Sequence, residues 1–255
     1  MLDMHAHILP AADDGPGTLE ESIELIEMAI AEGITDIIAT PHAYSPHYDV
    51  SKEQVQKQLL VLENEVTKRG LSIQLHAGQE IRIQGNVPEE LESGEALTLA
   101  GSKYMLLELP SSGIPAYTVP VIQAILSMGI VPIIAHPERN RAIAEKPGRL
   151  SRLVNHGALA QVTAGSLAGH FGKGVQSLSL QLVEANLIHC YGSDVHNTKT
   201  RPALFEKGLA YLDKRKLHNT VDILLENNAR ILTNENFLLL EPKEIAPKKW
   251  WQVIG

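Results

Sequence analysis

Short apolar runs alternate with longer amphipathic stretches from residue 2 to about residue 232. The first run, Leu2-Asp3-Met4-His5-Ala6-His7-Ile8, alternates in character and predicts a strand. Side chains two apart on a strand share a face, so His5 and His7 project together while Leu2, Met4 and Ile8 face the packed side. Further apolar runs at 34–39, 71–75, 104–109, 130–135, 159–162 and 188–191 bring the predicted strands to about seven. Thr18, with Glu21 three residues on, has capping-box spacing and opens a helix carrying Ile23, Ile26, Ala29 and Ile30 up to Gly33. A second helix starts at Ser51 or Lys52, with Val55, Leu59, Leu62 and Val66 on one face. Helices are also expected over 117–128, about 147–155, 174–186, 202–214 and 219–232. Residues 84–102 read as irregular, with one helical turn near Glu89.

Strands that alternate with helices imply parallel strands with the helices outside. No linker or internal repeat divides the chain. The pattern predicts one (β/α) barrel domain over 1–240 and a C-terminal arm over 241–255. A doubly wound open sheet is the rival, but no Gly-rich loop follows the first strand. The arm holds Pro242, Pro247, Lys248, Lys249 and Trp250-Trp251. Its tryptophans either pack back on their own subunit or make a dimer, partner-protein or membrane-surface contact.

The polar residues then change the picture. His7, His42, Glu80, Glu108, His136, Asp194 and His196 all fall at, or just after, the ends of predicted strands. In a parallel barrel those ends converge on one face, where active sites are built. One such residue would be unremarked, but six strand ends carrying only metal-ligand residue types point to a metal centre. His, Asp and Glu without cysteine suit Mn²⁺, Fe²⁺ or Zn²⁺, with Mg²⁺ also compatible. Several carboxylates in one pocket repel unless cations neutralise them, which argues for more than one ion.

Composition narrows the class. With 255 residues, 44% hydrophobic and 20% charged, the chain can bury a full core. A net charge of −8 argues against nucleic acid as partner. No apolar run approaches a membrane span, and no signal peptide precedes the first strand. The single cysteine, Cys190, excludes an internal disulfide and fits a cytoplasmic location. It is expected as a buried core residue, and a cysteine phosphatase would need Cys-x₅-Arg where residue 196 is His.

His5-Ala6-His7, Thr40-Pro41-His42, Gly78-Gln79-Glu80, His136-Pro137-Glu138-Arg139 and Ser193-Asp194-Val195-His196 resemble the successive motifs of the PHP (polymerase and histidinol phosphatase) superfamily. Asp13-Asp14-Gly15, Gly78-Gln79-Glu80-Ile81-Arg82, Glu108 and His136-Pro137-Glu138-Arg139-Asn140-Arg141 are similar, more narrowly, to bacterial tyrosine-protein phosphatases of the capsule and exopolysaccharide type. Glu108 discriminates, because many PHP proteins carry histidine there. The resemblance implies a distorted (β/α)₇ TIM-like barrel of the PHP type holding three divalent ions, Mn²⁺ foremost. It implies that His5, His7, Glu80 and Asp194 hold one ion. Glu80, Glu108 and His136 would hold a second, and Asp14, His42 and His196 the third. Asp14 is the less secure member, since Asp13 adjoins it. Arg139 and Arg201 would clamp phosphate, with Arg141 either assisting or solvated. His47, His76, His156, His170, His189 and His218 match no motif and read as surface or core residues.

The activity implied is phosphotyrosine hydrolysis, with the phosphorylated tail of a bacterial tyrosine kinase as partner. A small-molecule phosphatase, such as one acting on histidinol phosphate, is the nearest rival. A PHP exonuclease fits the acidic balance poorly. An amidohydrolase would usually add a bridging lysine, where this chain has Glu80 and Glu108. A non-catalytic, metal-loaded phosphoprotein-binding module has the same ligands.

Overall fold

The computed structural model describes residues 1–245. Nine parallel strand segments form a three-stranded and a six-stranded sheet that adjoin where two strands are interrupted: β1 (Leu2–Ala6), β2 (Asp36–Ala39), β3 (His42–Ala43), β4 (Gln74–Ala77), β5 (Glu80–Arg82), β6 (Tyr104–Glu108), β7 (Val131–Ile134), β8 (Leu159–Thr163) and β9 (Cys190–Gly192). They amount to seven strands, because two are interrupted. Pro41 breaks the second and Gly78 lies in the break of the third, yet Thr40 N still donates to Ala6 O and Glu80 N to Pro41 O. The order is therefore β1, β2/β3, β4/β5, β6, β7, β8, β9. The ends of the sheet meet where Ala6 bridges Val195 and Asp194 N donates to His5 O. This is the distorted seven-stranded barrel expected from the sequence, and the open doubly wound sheet is set aside.

The helices are α1 (Leu19–Ala31), α2 (Lys52–Lys68), α3 (Val87–Ser93), α4 (Thr118–Ser127), α5 (Arg141–Glu145), α6 (Gly148–Asn155), α7 (Ala164–Leu167), α8 (Lys173–Glu184), α9 (Phe205–Lys214) and α10 (His218–Thr233). The capping box of α1 forms as expected: Glu21 N donates to Thr18 Oγ1 at 3.2 Å and Thr18 N to Glu21 Oε2 at 3.1 Å. Several elements depart from the sequence reading, among them α5 and α7, where no helix was expected. The strand expected over 71–75 begins at Gln74, where pairing with Asp36 starts. The irregular stretch 84–102 contains α3, whose Val87 and Leu91 are buried a helical turn apart. The helix expected from 202 begins at Phe205, because Leu204 adopts φ +51° and halts helical geometry before it.

Strand alternation separates two apolar layers. Met105 and Leu107 of β6, Ile134 of β7 and Tyr191 of β9 join the larger layer against the helices. Tyr104, Leu106, Ile133, Leu159 and Cys190 take the opposite face and form a second cluster with Met4, Ile38 and Phe237. Glu108 and Asp194 continue that second face by two-residue steps, so ligand residues stand above an apolar floor. Cys190 is fully buried, as expected.

The described part of the arm runs along the end of α8. Asn186 Nδ2 donates to Glu241 O at 2.7 Å and Lys243 N to Ala185 O at 2.9 Å. The expected contacts of Trp250-Trp251 lie outside the described residues.

Candidate metal centre

β1 delivers His5 and His7, both fully buried, to one side of the barrel mouth. His5 Nε2 lies 3.3 Å from His7 Nε2, 3.5 Å from Glu80 Oε2 and 3.2 Å from Asp194 Oδ1. His7 Nε2 lies 3.2 Å from Glu80 Oε2 and 3.4 Å from Asp194 Oδ1. These atoms have the spacing of a coordination shell. A tetrahedral ion with ligand bonds of about 2.0–2.1 Å holds its ligand atoms about 3.3 Å apart. Two further groups adjoin. His7, Asp14, His42 and His196 form one, and His42, Glu80 and Glu108 the other; each offers ligand atoms within 4.8 Å of one another.

The nitrogens facing this space are bare because their ring partners are engaged. His5 Nδ1 donates to Gln161 Oε1 at 3.2 Å, His7 Nδ1 to Asp13 Oδ2 at 2.7 Å, and His196 Nδ1 to Asp194 O at 3.0 Å. Each arrangement leaves Nε2 as a lone-pair donor. His42 Nδ1, Glu80 Oε2, Asp194 Oδ1 and His196 Nε2 are buried with no hydrogen-bond partner among the described residues. Orphaned polar atoms are costly singly. Four in one place fit a cation, so the residues present suit a divalent metal.

The electrostatics agree. Burial opposes ionisation of Glu80 and Asp194, yet their neighbours outweigh it. His5, His136 and His42 hold Glu80 well below the usual carboxylate range, and Arg139, His5 and Arg201 do the same for Asp194. Burial likewise opposes charge on His5, but Glu80 and Asp194 raise it to about 9, so a metal binding here would displace the Nε2 proton. Burial, aided by Arg139, lowers His136 to about 4 and leaves a neutral imidazole. Glu108 is pushed up by burial and then by Glu80, although Arg82 Nη1 donates to it at 2.7 Å. Asp194 and His136 both hold positive φ, +55° and +31°, a strained geometry that fixes where their side chains point.

Every ligand residue expected from sequence is brought here, though His136 sits apart from the three groups, with Nε2 2.7 Å from Glu80 Oε1. Glu80 opens β5 after the break in its strand instead of following the strand end. Asp14 Oδ1 lies 3.1 Å from His196 Nε2, whereas Asp13 is turned to His7, His42 N and Gly15 N. Arg139 and Arg201 both donate to Asp194 Oδ2, and Arg201 Nη1 also reaches Asp14 Oδ2 at 3.3 Å. Both arginines line a cavity of about 380 Å³ with His42, Glu80, Glu108 and His136. Arg141 is turned away and pairs with Glu145. Asp13 and Arg82 stood in the sequence motifs without a role assigned to them, and Gln161 escaped the sequence reading. A glutamine inside the apolar run of β8 was the one signal that could have found Gln161.

A family model for capsular polysaccharide synthesis, CpsB/CapC, matches residues 1–233. The chain belongs to the CpsB/CapC family. It is 41% identical over 249 residues to tyrosine-protein phosphatase YwqE of Bacillus subtilis, covering 98% of each chain. It is 38% identical over 255 residues to CapC of Staphylococcus aureus, covering 100% of both. A crystal structure described as YwqE from Bacillus subtilis and CpsB from Streptococcus pneumoniae, unique metal-dependent tyrosine phosphatases, superposes with a TM-score of 0.94 at 40% identity. That match covers 97% of this chain and 100% of the other. Among the described residues no helix is long and apolar enough to cross a membrane.

Proposed function

We propose that this chain is a metal-dependent tyrosine-protein phosphatase acting in capsular polysaccharide synthesis. The observation that carries the reading is a coordination shell of His5, His7, Glu80 and Asp194 beside two arginines in one cavity. We assign the ligand sets expected from sequence: His5, His7, Glu80 and Asp194; Glu80, Glu108 and His136, which Glu80 Oε1 links at 2.7 Å; and Asp14, His42 and His196. Three divalent ions would fill them, Mn²⁺ first, since the donors are nitrogen and oxygen without sulfur. Glu80 presents its two oxygens to different neighbours, Oε1 to His136 and Oε2 to His5, His7 and His42, which suits a bridging carboxylate.

Bound divalent ions make water a competent nucleophile near neutral pH and neutralise charge on phosphoryl oxygens. The chain's own residues do the rest. Arg139 and Arg201 orient the phosphoryl group through their guanidinium forks. Arg139 is pre-set by Asp194 and by the face of Phe171, 5.2 Å away, and its buried Nε has no partner among the described residues. A phosphate oxygen suits that donor. No thiol nucleophile is needed, and burial pushes the Cys190 thiol far above neutrality.

The partner we propose is the phosphorylated tail of a bacterial tyrosine kinase, and the location the cytoplasm. Partly exposed rim residues such as His42, Arg139 and Arg201 leave the cavity open to an extended peptide. Chelation with EDTA is expected to abolish p-nitrophenyl phosphate hydrolysis, and added Mn²⁺ to restore it. A phosphotyrosyl peptide is expected to turn over far faster than histidinol phosphate. Undiminished activity in EDTA, or the reverse substrate order, overturns the reading.

A further inference from the structure

Arg201 enters the phosphate cavity from a loop that the core does not hold. Val195 and Ala203 are buried on either side of it, and no buried apolar side chain lies between them. Asn197 and Thr198 are partly exposed, Lys199 and Thr200 are exposed, and residues 196–204 form no helix or strand. A segment without apolar contacts keeps one conformation only through its polar bonds.

One side-chain oxygen supplies most of them. Asn197 Oδ1 accepts from Lys199 N at 3.0 Å, Thr200 N at 2.7 Å, Thr200 Oγ1 at 3.0 Å and Arg201 N at 3.2 Å. Asparagine favours this use, because its short side chain bonds backbone N–H groups a few residues on. The turn so formed closes on itself. Arg201 O accepts from His196 N at 3.0 Å and from Asn197 N at 3.3 Å, and His170 Nε2 donates to Thr200 O at 2.7 Å. Arg201 is thereby returned beside His196, five residues earlier, with its guanidinium on Asp194 Oδ2 at 2.8 Å and Asp14 Oδ2 at 3.3 Å. Asn197 itself lines a neighbouring cavity of about 640 Å³ and not the one that Arg201 enters.

We infer that Asn197 is a positioning residue for phosphate binding: its amide oxygen folds residues 197–201 into the closed turn that aims Arg201 at the phosphoryl group. It acts through Arg201 and touches neither phosphate nor metal. The inference rests on the phosphate-binding role proposed above for Arg201. The fold does not depend on it, because the N–H groups that Asn197→Ala would free lie on an exposed loop where water can take them.

Calorimetric titration of inorganic phosphate into the Mn²⁺-loaded protein tests this. Asn197→Ala is expected to weaken phosphate binding about tenfold, with metal content by mass spectrometry and the circular dichroism spectrum unchanged. Arg201→Ala is expected to weaken it at least as much. The double variant is expected to bind no more weakly than Arg201→Ala alone, since a residue that acts through another has nothing left to act on. Asn197→Asp keeps the acceptor and is expected to bind phosphate more tightly than Asn197→Ala despite its added charge. Unchanged affinity in Asn197→Ala overturns the inference, as do losses that multiply in the double variant, a fall in metal content, or an Asn197→Asp protein no better than Asn197→Ala. Phosphate binding that follows the expected order in a protein with no turnover of a phosphotyrosyl peptide overturns the proposed reaction and leaves the role of Asn197 standing.

Discussion

Asp13 Oδ2 lies 2.7 Å from His7 Nδ1, and the two form the most completely determined pair in the centre. Asp13 Oδ2 also accepts from His42 N at 2.9 Å, while Oδ1 accepts from Gly15 N at 3.0 Å. With both oxygens accepting, the carboxylate forces His7 to carry its proton on Nδ1 and to face the ligand space with Nε2 bare. An asparagine cannot replace it, because its NH₂ would meet an N–H donor in either orientation. Asp13→Asn is expected to weaken metal affinity about 10–100-fold. Metal titration of the stripped protein checks this, and excess Mn²⁺ should recover most of the activity. Unchanged affinity would reduce Asp13 to a loop residue.

Arg139 and Arg201 converge on one oxygen, Asp194 Oδ2. Either arginine alone leaves Asp194 with a cationic neighbour, so neither substitution should empty the metal sites. Each removes a donor aimed at phosphate. Arg139→Ala and Arg201→Ala are each expected to lower kcat/KM on a phosphotyrosyl peptide about 10²–10³-fold, with metal content by mass spectrometry unchanged. Arg141→Ala, whose partner is the exposed Glu145, is expected to have little effect. A metal content that falls with the activity would make the arginines structural.

How far these residues could be read in advance depended on the range of the signal. His5 and His7 were legible because strand alternation is local. The ligand set was legible because the ends of parallel strands converge whatever the details of packing. Asp13 and Asp14 were not separable, since both sit on an irregular loop where no period assigns a direction. Arg82 reaches Glu108 only through strand register, in which the two residues are direct partners. Gln161 is set opposite Cys190 in the same way. The breaks at Pro41 and Gly78 hid the fact that His42 and Glu80 begin strand segments. Phe171 under Arg139 depends on a loop between α7 and α8 that carries no pattern.

Gly208 marks the closest approach of α9 to the barrel. A Cβ there would stand 2.9 Å from Ala164 O and 3.0 Å from Ala164 Cα, and would press on the Tyr191 hydroxyl. Tyr191 cannot turn aside, because it is fully buried and its hydroxyl donates to Phe205 O at 2.7 Å. Backbone atoms yield less readily than a side-chain tip. Gly208→Ala therefore gains helix propensity yet is expected to lose about 1–3 kcal/mol net. A fall in melting temperature checks this, and a rise would show that α9 can slide outward.

His189 supplies a pH dependence separate from the metal ligands. Its Nδ1 accepts from Ala160 N at 3.0 Å, which requires a neutral ring, and burial lowers its pKa to about 4. An unfolded histidine titrates near 6.5. Between those values the unfolded chain binds the proton and the folded chain does not. Stability is thus full above about pH 6.5 and falls as pH drops towards 4, by up to about 3 kcal/mol. His189→Asn keeps an acceptor near Ala160 N but has no titration in this range. The stability difference between the protein and this variant, from urea unfolding at a series of pH values, is expected to change through that window and be flat above it. A difference that stays constant from pH 7 to pH 4 would mean that His189 is protonated in the folded state without cost.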